Sequence, residues 1–415
     1  MMYGFILVAF LLALEQLSFA QNHLPVIKAS SKNVDIRDGL HFKKGYWYLM
    51  PEKKPDYYFV EIPGKEHKVS FITDKDSISF DTKYGEDYDF IILMNNKDSC
   101  HTRIATRYKK MLTYTRKNSL AAHDTIPFTI GNNSKIYMKG RINNSDLLNI
   151  QFDLGAGGCL VNKSSLKKVQ MNFDGSINLT NSDGTQTVPS SSSNKLVIAN
   201  LAWEKLAFAV ADNMTYREDL IVGNVLFQNK VVEINYDEKI IIVRDSLPSV
   251  ASYSSHEIIL DGGAVPYLQG SLTIKSKKKT GWFMFDTGAY TTILRTSEIS
   301  ATNKIYTEFK NMAGLSSKTL SPRITIGDYS FADFNYTVGK HNDDDTQLGL
   351  LGNDLLKRFN VVLDNKKGHL YLKPNSLTND RYANPEYWLV RIVTVILVLL
   401  IALLVFFMYR RRKKK

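Results

Sequence analysis

The sequence predicts a mainly β protein, with a small all-β domain ahead of two related β-rich lobes and one transmembrane helix behind them. Three observations predict it. Short runs of alternating apolar and polar residues fill the body, one set of landmarks occurs twice between about His123 and Lys373, and a long uncharged apolar run lies near the C-terminus. At 415 residues, 44% hydrophobic and 23% charged, the chain has the composition of a globular protein with a substantial core.

Residues 1–20 read as a secretory signal peptide. An apolar stretch, Phe5 to Leu14, precedes the polar Gln21-Asn22-His23, although the first residues lack the usual Lys or Arg. Residues 21–106 are expected to form the N-terminal β domain. Its segments Tyr46-Trp47-Tyr48-Leu49, Val69-Ser70-Phe71-Ile72 and Tyr88-Asp89-Phe90-Ile91 are separated by Pro, Gly, Asp and Lys turns. A basic connector spans 107–122, the lobes occupy 123–250 and 251–375, and a juxtamembrane linker covers 376–390.

The transmembrane helix is expected at 391–409. Ile392 to Tyr409 carries no charge and makes about 27 Å of helix at ~1.5 Å per residue, enough to span a bilayer. Tyr387 and Trp388 stand where interface aromatics belong, and the basic tail 410–415, Arg-Arg-Arg-Lys-Lys-Lys, follows at once. By the positive-inside rule the tail stays in the cytoplasm and the body lies outside. The tail supplies half of the net charge of +12, and what remains is spread too thinly to suggest a nucleic-acid partner.

Only two cysteines occur, so this is no disulfide scaffold. Cys100 and Cys159 allow one bridge; equally, Cys159 is a small buried apolar residue on a strand. The eight histidines show no zinc spacing, and neither a Gly-x-Ser-x-Gly elbow nor a phosphate loop is present, so no metal or cofactor is expected. Ser190 to Ser193 and Asp343-Asp344-Asp345 read as solvated loops. Trp203, Trp282 and Tyr290 fit a cleft wall or, more commonly, a core.

The chemistry lies in the repeat. Each copy contains a strand running into Asp-x-Gly-Ala: Phe152-Asp153-Leu154-Gly155-Ala156 and Phe285-Asp286-Thr287-Gly288-Ala289. Each later reaches an apolar strand closed by Gly-Asn, at Gly223-Asn224 and Gly352-Asn353, and ends alike in Val231 to Asn235 and Asn360 to Asp364. A glycine after each Asp permits a sharp bend that exposes the carboxylate at a strand end. Approximate twofold symmetry then brings Asp153 and Asp286 face to face, where two close carboxylates share one proton and titrate as a pair.

On these motifs, residues 121 to 375 resemble the two lobes of a retropepsin-like or pepsin-like aspartic protease; the N-terminal domain resembles modules of exported Bacteroidota-like proteins, which implies a bacterial, periplasmic setting. The protease resemblance implies a bilobal double β-barrel and peptide-bond hydrolysis by Asp153 and Asp286, with Gly155, Ala156, Thr287, Gly288 and Ala289 supporting the pair. It implies that the strands ending at Gly223 and Gly352 thread the Asp turns, and that hairpins around Gly184 and Gly314 serve as flaps. Leu154 departs from the family pattern, which has Thr or Ser there to hydrogen-bond across the pair; the first flap also lacks the tyrosine of the pepsin pattern. The expected function is an aspartic endopeptidase acting on polypeptides outside the cytoplasmic membrane. The alternatives are a catalytically impaired relative that binds peptides in the inter-lobe cleft, and an adhesin or glycan-binding role for the N-terminal domain.

Overall fold

The structure is a computed structural model that describes residues 24–39, 42–60, 66–83, 85–106, 112–117, 122–181, 184–299, 322–332, 334–339, 346–380, 382 and 385–412. The expected signal peptide, the Asp343 to Asp345 loop and Gly314 lie outside the described residues. The chain is mainly β and divides into two compact units, one drawn from residues 24–39, 44–60 and 66–106 and the other from residue 112 onward.

The first unit contains two four-stranded sheets. One is ordered Val26–Ala29, Asp87–Met94, Asp98–Ala105, Asp56–Phe59; the other is ordered Phe42–Tyr48, Asn33–Asp38, His67–Ile72, Ser77–Thr82. Alternating burial along Asn33–Asp38 is the period-two pattern of strands with one buried face. Aromatic residues make up much of this unit's core. Trp47, Tyr58, Phe71 and Phe90 meet edge to face at centroid separations of 4.9–6.4 Å.

The second unit carries the repeat; its strands other than the short Tyr114–Arg116, Thr129–Ile130, Arg323–Ile326 and Tyr329–Phe331 are labelled here in chain order. In the first half they are β1 (His123–Pro127), β2 (Ile136–Ile142), β3 (Leu148–Phe152), β4 (Cys159–Asn162), β5 (Gly175–Asn181), β6 (Gly184–Ile198), β7 (Leu201–Ala211), β8 (Leu220–Val222), β9 (Val231–Asn235) and β10 (Ile240–Arg244). In the second half they are β11 (Ser254–Asp261), β12 (Val265–Ile274), β13 (Lys277–Asp286), β14 (Thr292–Arg295), β15 (Tyr336–Gly339), β16 (Gln347–Gly352), β17 (Phe359–Asp364) and β18 (His369–Pro374).

The two halves pair their strands in the same pattern. β3 lies parallel to β8, which is antiparallel to β4, which is parallel to β7. In the second half β13 lies parallel to β16, which is antiparallel to β14, which is parallel to β15. The hairpins β9–β10 and β17–β18 meet through the antiparallel pair β9·β17, with Val232 opposite Leu363 and Ile234 opposite Val361. The run β1-β10-β9-β17-β18-β11 thus takes three strands from each half. Every residue of β17 is buried, as its run of apolar residues requires for a central strand covered on both faces.

A continuous apolar core runs through both halves. Trp203 belongs to it, fully buried with its indole N–H donating to Leu226 O at 3.1 Å; Trp282 packs in a smaller cluster with Ile259, Val265 and Tyr267. Both cysteines are free and buried. The C-terminal helix α2 (Pro385–Arg412), which follows a short helix α1 (Asn353–Leu356), begins inside the segment expected as linker. Proline suits the first turn of a helix, where its missing N–H leaves no bond unmade. Within α2, Ile392–Arg410 is apolar and long enough to cross a membrane.

Candidate active site

Asp153 follows the last residue of β3, and Asp286 ends β13. The pairing of β3 with β8 carries over into the turn, where Asp153 N donates to Val222 O at 3.0 Å. Each carboxylate then accepts from its own turn. Gly155 N donates to Asp153 Oδ1 at 2.8 Å, while Gly288 N and Ala289 N donate to Asp286 Oδ1 at 2.8 and 2.9 Å. The two carboxyl groups lie close enough for each to shift the other's protonation.

The glycines are required by this approach. A Cβ on Gly155 would stand 2.6 Å from the Asp286 carboxyl carbon, and one on Gly288 would overlap the Asp153 carboxyl group. Each turn thus lies flat against the opposite acid. Gly223 and Gly352 close the strands that pass beside the turns, and a side chain on either would strike the Ala156 or Thr291 backbone.

Thr287 ties the turns together. Its hydroxyl accepts from Leu154 N at 3.0 Å and donates to Phe152 O at 3.1 Å, bridging to the other half of the repeat. Leu154 has no hydroxyl to return; its side chain is fully buried in the apolar core. The crossed connection is therefore single, carried by Thr287 and the Leu154 amide.

Burial raises Asp286 well above the usual carboxylate range, and the Asp153 charge pushes it further. Burial also raises Asp153, opposed by the Asp286 carboxyl and the Gly155 amide. Both acids are thus held above the usual carboxylate range, Asp286 with the Asp153 charge added to its burial. A cleft of about 790 Å³ opens over Asp153. Its walls include Ala156, Phe208 and Ile221, and the hairpin β5–β6 contributes Ile177 and Leu179. Gly184 opens β6 beside the tip of that hairpin at φ +122°, a backbone region that favours glycine. Cys159 also faces the cleft, but burial pushes its thiol up to about 12, so it stays protonated.

Sequence reasoning missed two sets of residues. The amides of Asn224 and Asn353, read only as repeat landmarks, reach across the halves: Asn224 donates to Ala264 O at 3.0 Å and Asn353 donates to Ser134 O. The second set, Lys135, Gln151 and Glu218, lines the cleft behind Asp153. The repeat offered a signal for it, because a Gln two residues before the first Asp has Met284 as its counterpart before the second.

No family model matches the sequence, and no curated protein matches it either. Among solved structures the chain is similar to an aspartic proteinase from Irpex lacteus, with 12% sequence identity and a TM-score of 0.46, over 63% of this chain and 100% of that one.

Proposed function

We propose that this chain is an aspartic endopeptidase, with residues 123–250 and 251–375 as the two lobes of a bilobal double β-barrel and Asp153 and Asp286 as its catalytic pair. The observation that carries the reading is the mutual approach of the acids, each carboxyl packed against the glycine of the opposite turn. In the proposed reaction Asp153 takes a proton from a water held between the acids as that water attacks the scissile carbonyl carbon. Asp286 gives its proton to the carbonyl oxygen, forming a tetrahedral diol. As the diol collapses, Asp153 gives its proton to the departing amine, a diol hydroxyl gives its proton to Asp286 and becomes the new carbonyl, the C–N bond breaks, and the pair is left with one proton again.

The apolar helix and its basic tail support a membrane-anchored body on the outer, periplasmic face, where polypeptides are the substrates. Leu154 favours a second reading, in which the cleft binds peptides without cutting them. The deciding experiment is peptide-library cleavage by the full-length protein in detergent from pH 3 to 8, beside Asp286→Asn and a transition-state peptide inhibitor. The endopeptidase reading expects cleavage that falls at least a thousandfold in the variant and stops with the inhibitor. Folded protein that binds library peptides without cutting any, at every pH, would overturn it in favour of the second reading.

A further inference from the structure

The repeat relates the two acids, but their surroundings differ: the turn gives Asp286 two amides and Asp153 one, and further groups stand behind Asp153. Behind Asp153 runs a chain of polar side chains that has no counterpart at Asp286 among the described residues. Gln151 is 1% exposed; its Nε2 donates to Asp153 Oδ2 at 3.2 Å and its Oε1 accepts from Lys135 Nζ at 3.1 Å. The ammonium also donates to Glu218 Oε1 at 3.0 Å, which accepts from Tyr137 OH at 3.0 Å; the Thr215 amide holds the other oxygen of Glu218 at 2.9 Å.

This arrangement fixes the direction of the Gln151 amide. Turning it over would set its NH2 against the ammonium and its oxygen against the carboxylate, two repulsions in place of two hydrogen bonds. The charged groups facing Asp153 are Asp286 from the second half and Lys135 and Glu218 from its own, and Lys135 outweighs Glu218. Among the described residues of the second half no side-chain amide donates to Asp286, and the counterpart of Glu218 is Gln347, which accepts from Arg295. Ser134 and Ala264 occupy equivalent places, each holding the amide of a Gly-Asn asparagine, so Lys135 corresponds to Val265 and Gln151 to Met284.

We propose that Gln151, aligned by the Lys135–Glu218 pair, is a positioning residue that makes Asp153 rather than Asp286 the ionised member of the pair. The inference rests on the proposed dyad chemistry but is measurable apart from turnover. The substitution is Gln151→Met, which gives the first half the residue the second already has and nearly conserves volume. The measurements are ¹³C carboxyl titration of aspartate-labelled full-length protein, with Asp153→Asn to assign the signal, and the pH profile of kcat/KM.

Gln151→Met is expected to raise the Asp153 midpoint by about one pH unit and to move the acid limb of the profile with it, with KM little changed. Lys135→Met is expected to give a smaller shift in the same direction. The double variant should shift by clearly less than the sum of the two single shifts, because much of the ammonium's effect passes through the amide. An unmoved midpoint in Gln151→Met, or additive shifts in the double variant, overturns the proposal. Wild-type cleavage with an unmoved midpoint removes the relay and keeps the endopeptidase; a moved midpoint in a protein that cleaves nothing keeps the relay and removes the endopeptidase.

Discussion

Thr287 does with one hydroxyl what the motif pattern assigns to two. Replacing it by Val keeps the shape but leaves Leu154 N and Phe152 O buried without that partner, each costing about 1–3 kcal/mol. Thr287→Val is therefore expected to lower unfolding free energy by roughly 3 kcal/mol, read as an earlier denaturant midpoint; a change below ~0.5 kcal/mol would show that the turns are held by other contacts. Leu154 illustrates what a motif hides. In the sequence it reads as a lost hydroxyl, because only side chains are visible there, whereas the bond that survives uses its backbone amide. Gln151 was equally unread: its partners Lys135 and Glu218 lie far from it in the chain, and only folding makes a hydrogen-bonded line of them.

At the scale of elements, the pieces with short-range signatures were legible: strands ending in Asp-x-Gly, apolar runs closed by Gly-Asn, and an uncharged run long enough for a membrane. The β5–β6 hairpin was legible only as the neighbourhood of Gly184, since its partner strand begins in a polar stretch at Gly175 with little apolar alternation. The short helix α1 was not anticipated and holds a cost. Asp354 is buried there, accepting from Leu355 N through Oδ1 while Oδ2 has no partner, and burial raises its carboxyl to about 7. A folded-state value above the unfolded one means that the native state holds the proton more tightly. Stability therefore falls as pH rises from about 4 to about 7 and levels off beyond, by up to roughly 4 kcal/mol. Asp354→Asn is expected to raise the melting temperature at pH 8 and leave it nearly unchanged at pH 4. Equal effects at both pH values would mean that the carboxyl ionises in the folded protein as it does in the unfolded chain.

At the scale of the molecule, the repeat announced two similar halves but not how they join. The joining strands, β9 and β17, read in sequence as ordinary apolar runs, and nothing local says that Val232 will face Leu363 rather than a neighbour in its own half. Their register and the reciprocal reach of Asn224 and Asn353 are non-local facts, visible only when both halves are folded. Only the loop at 246–253 joins the halves covalently, and it belongs to no strand. Co-expressed pieces 1–248 and 249–415 are accordingly expected to co-purify, with β9·β17 re-forming between separate chains. Each piece alone should aggregate, because it exposes an unpaired apolar strand edge. Soluble, monomeric pieces that ignore each other would show that this seam contributes little. If they do assemble, the peptide link at 246–253 is an accident of synthesis, and the molecule is at heart a heterodimer that happens to be made as one chain.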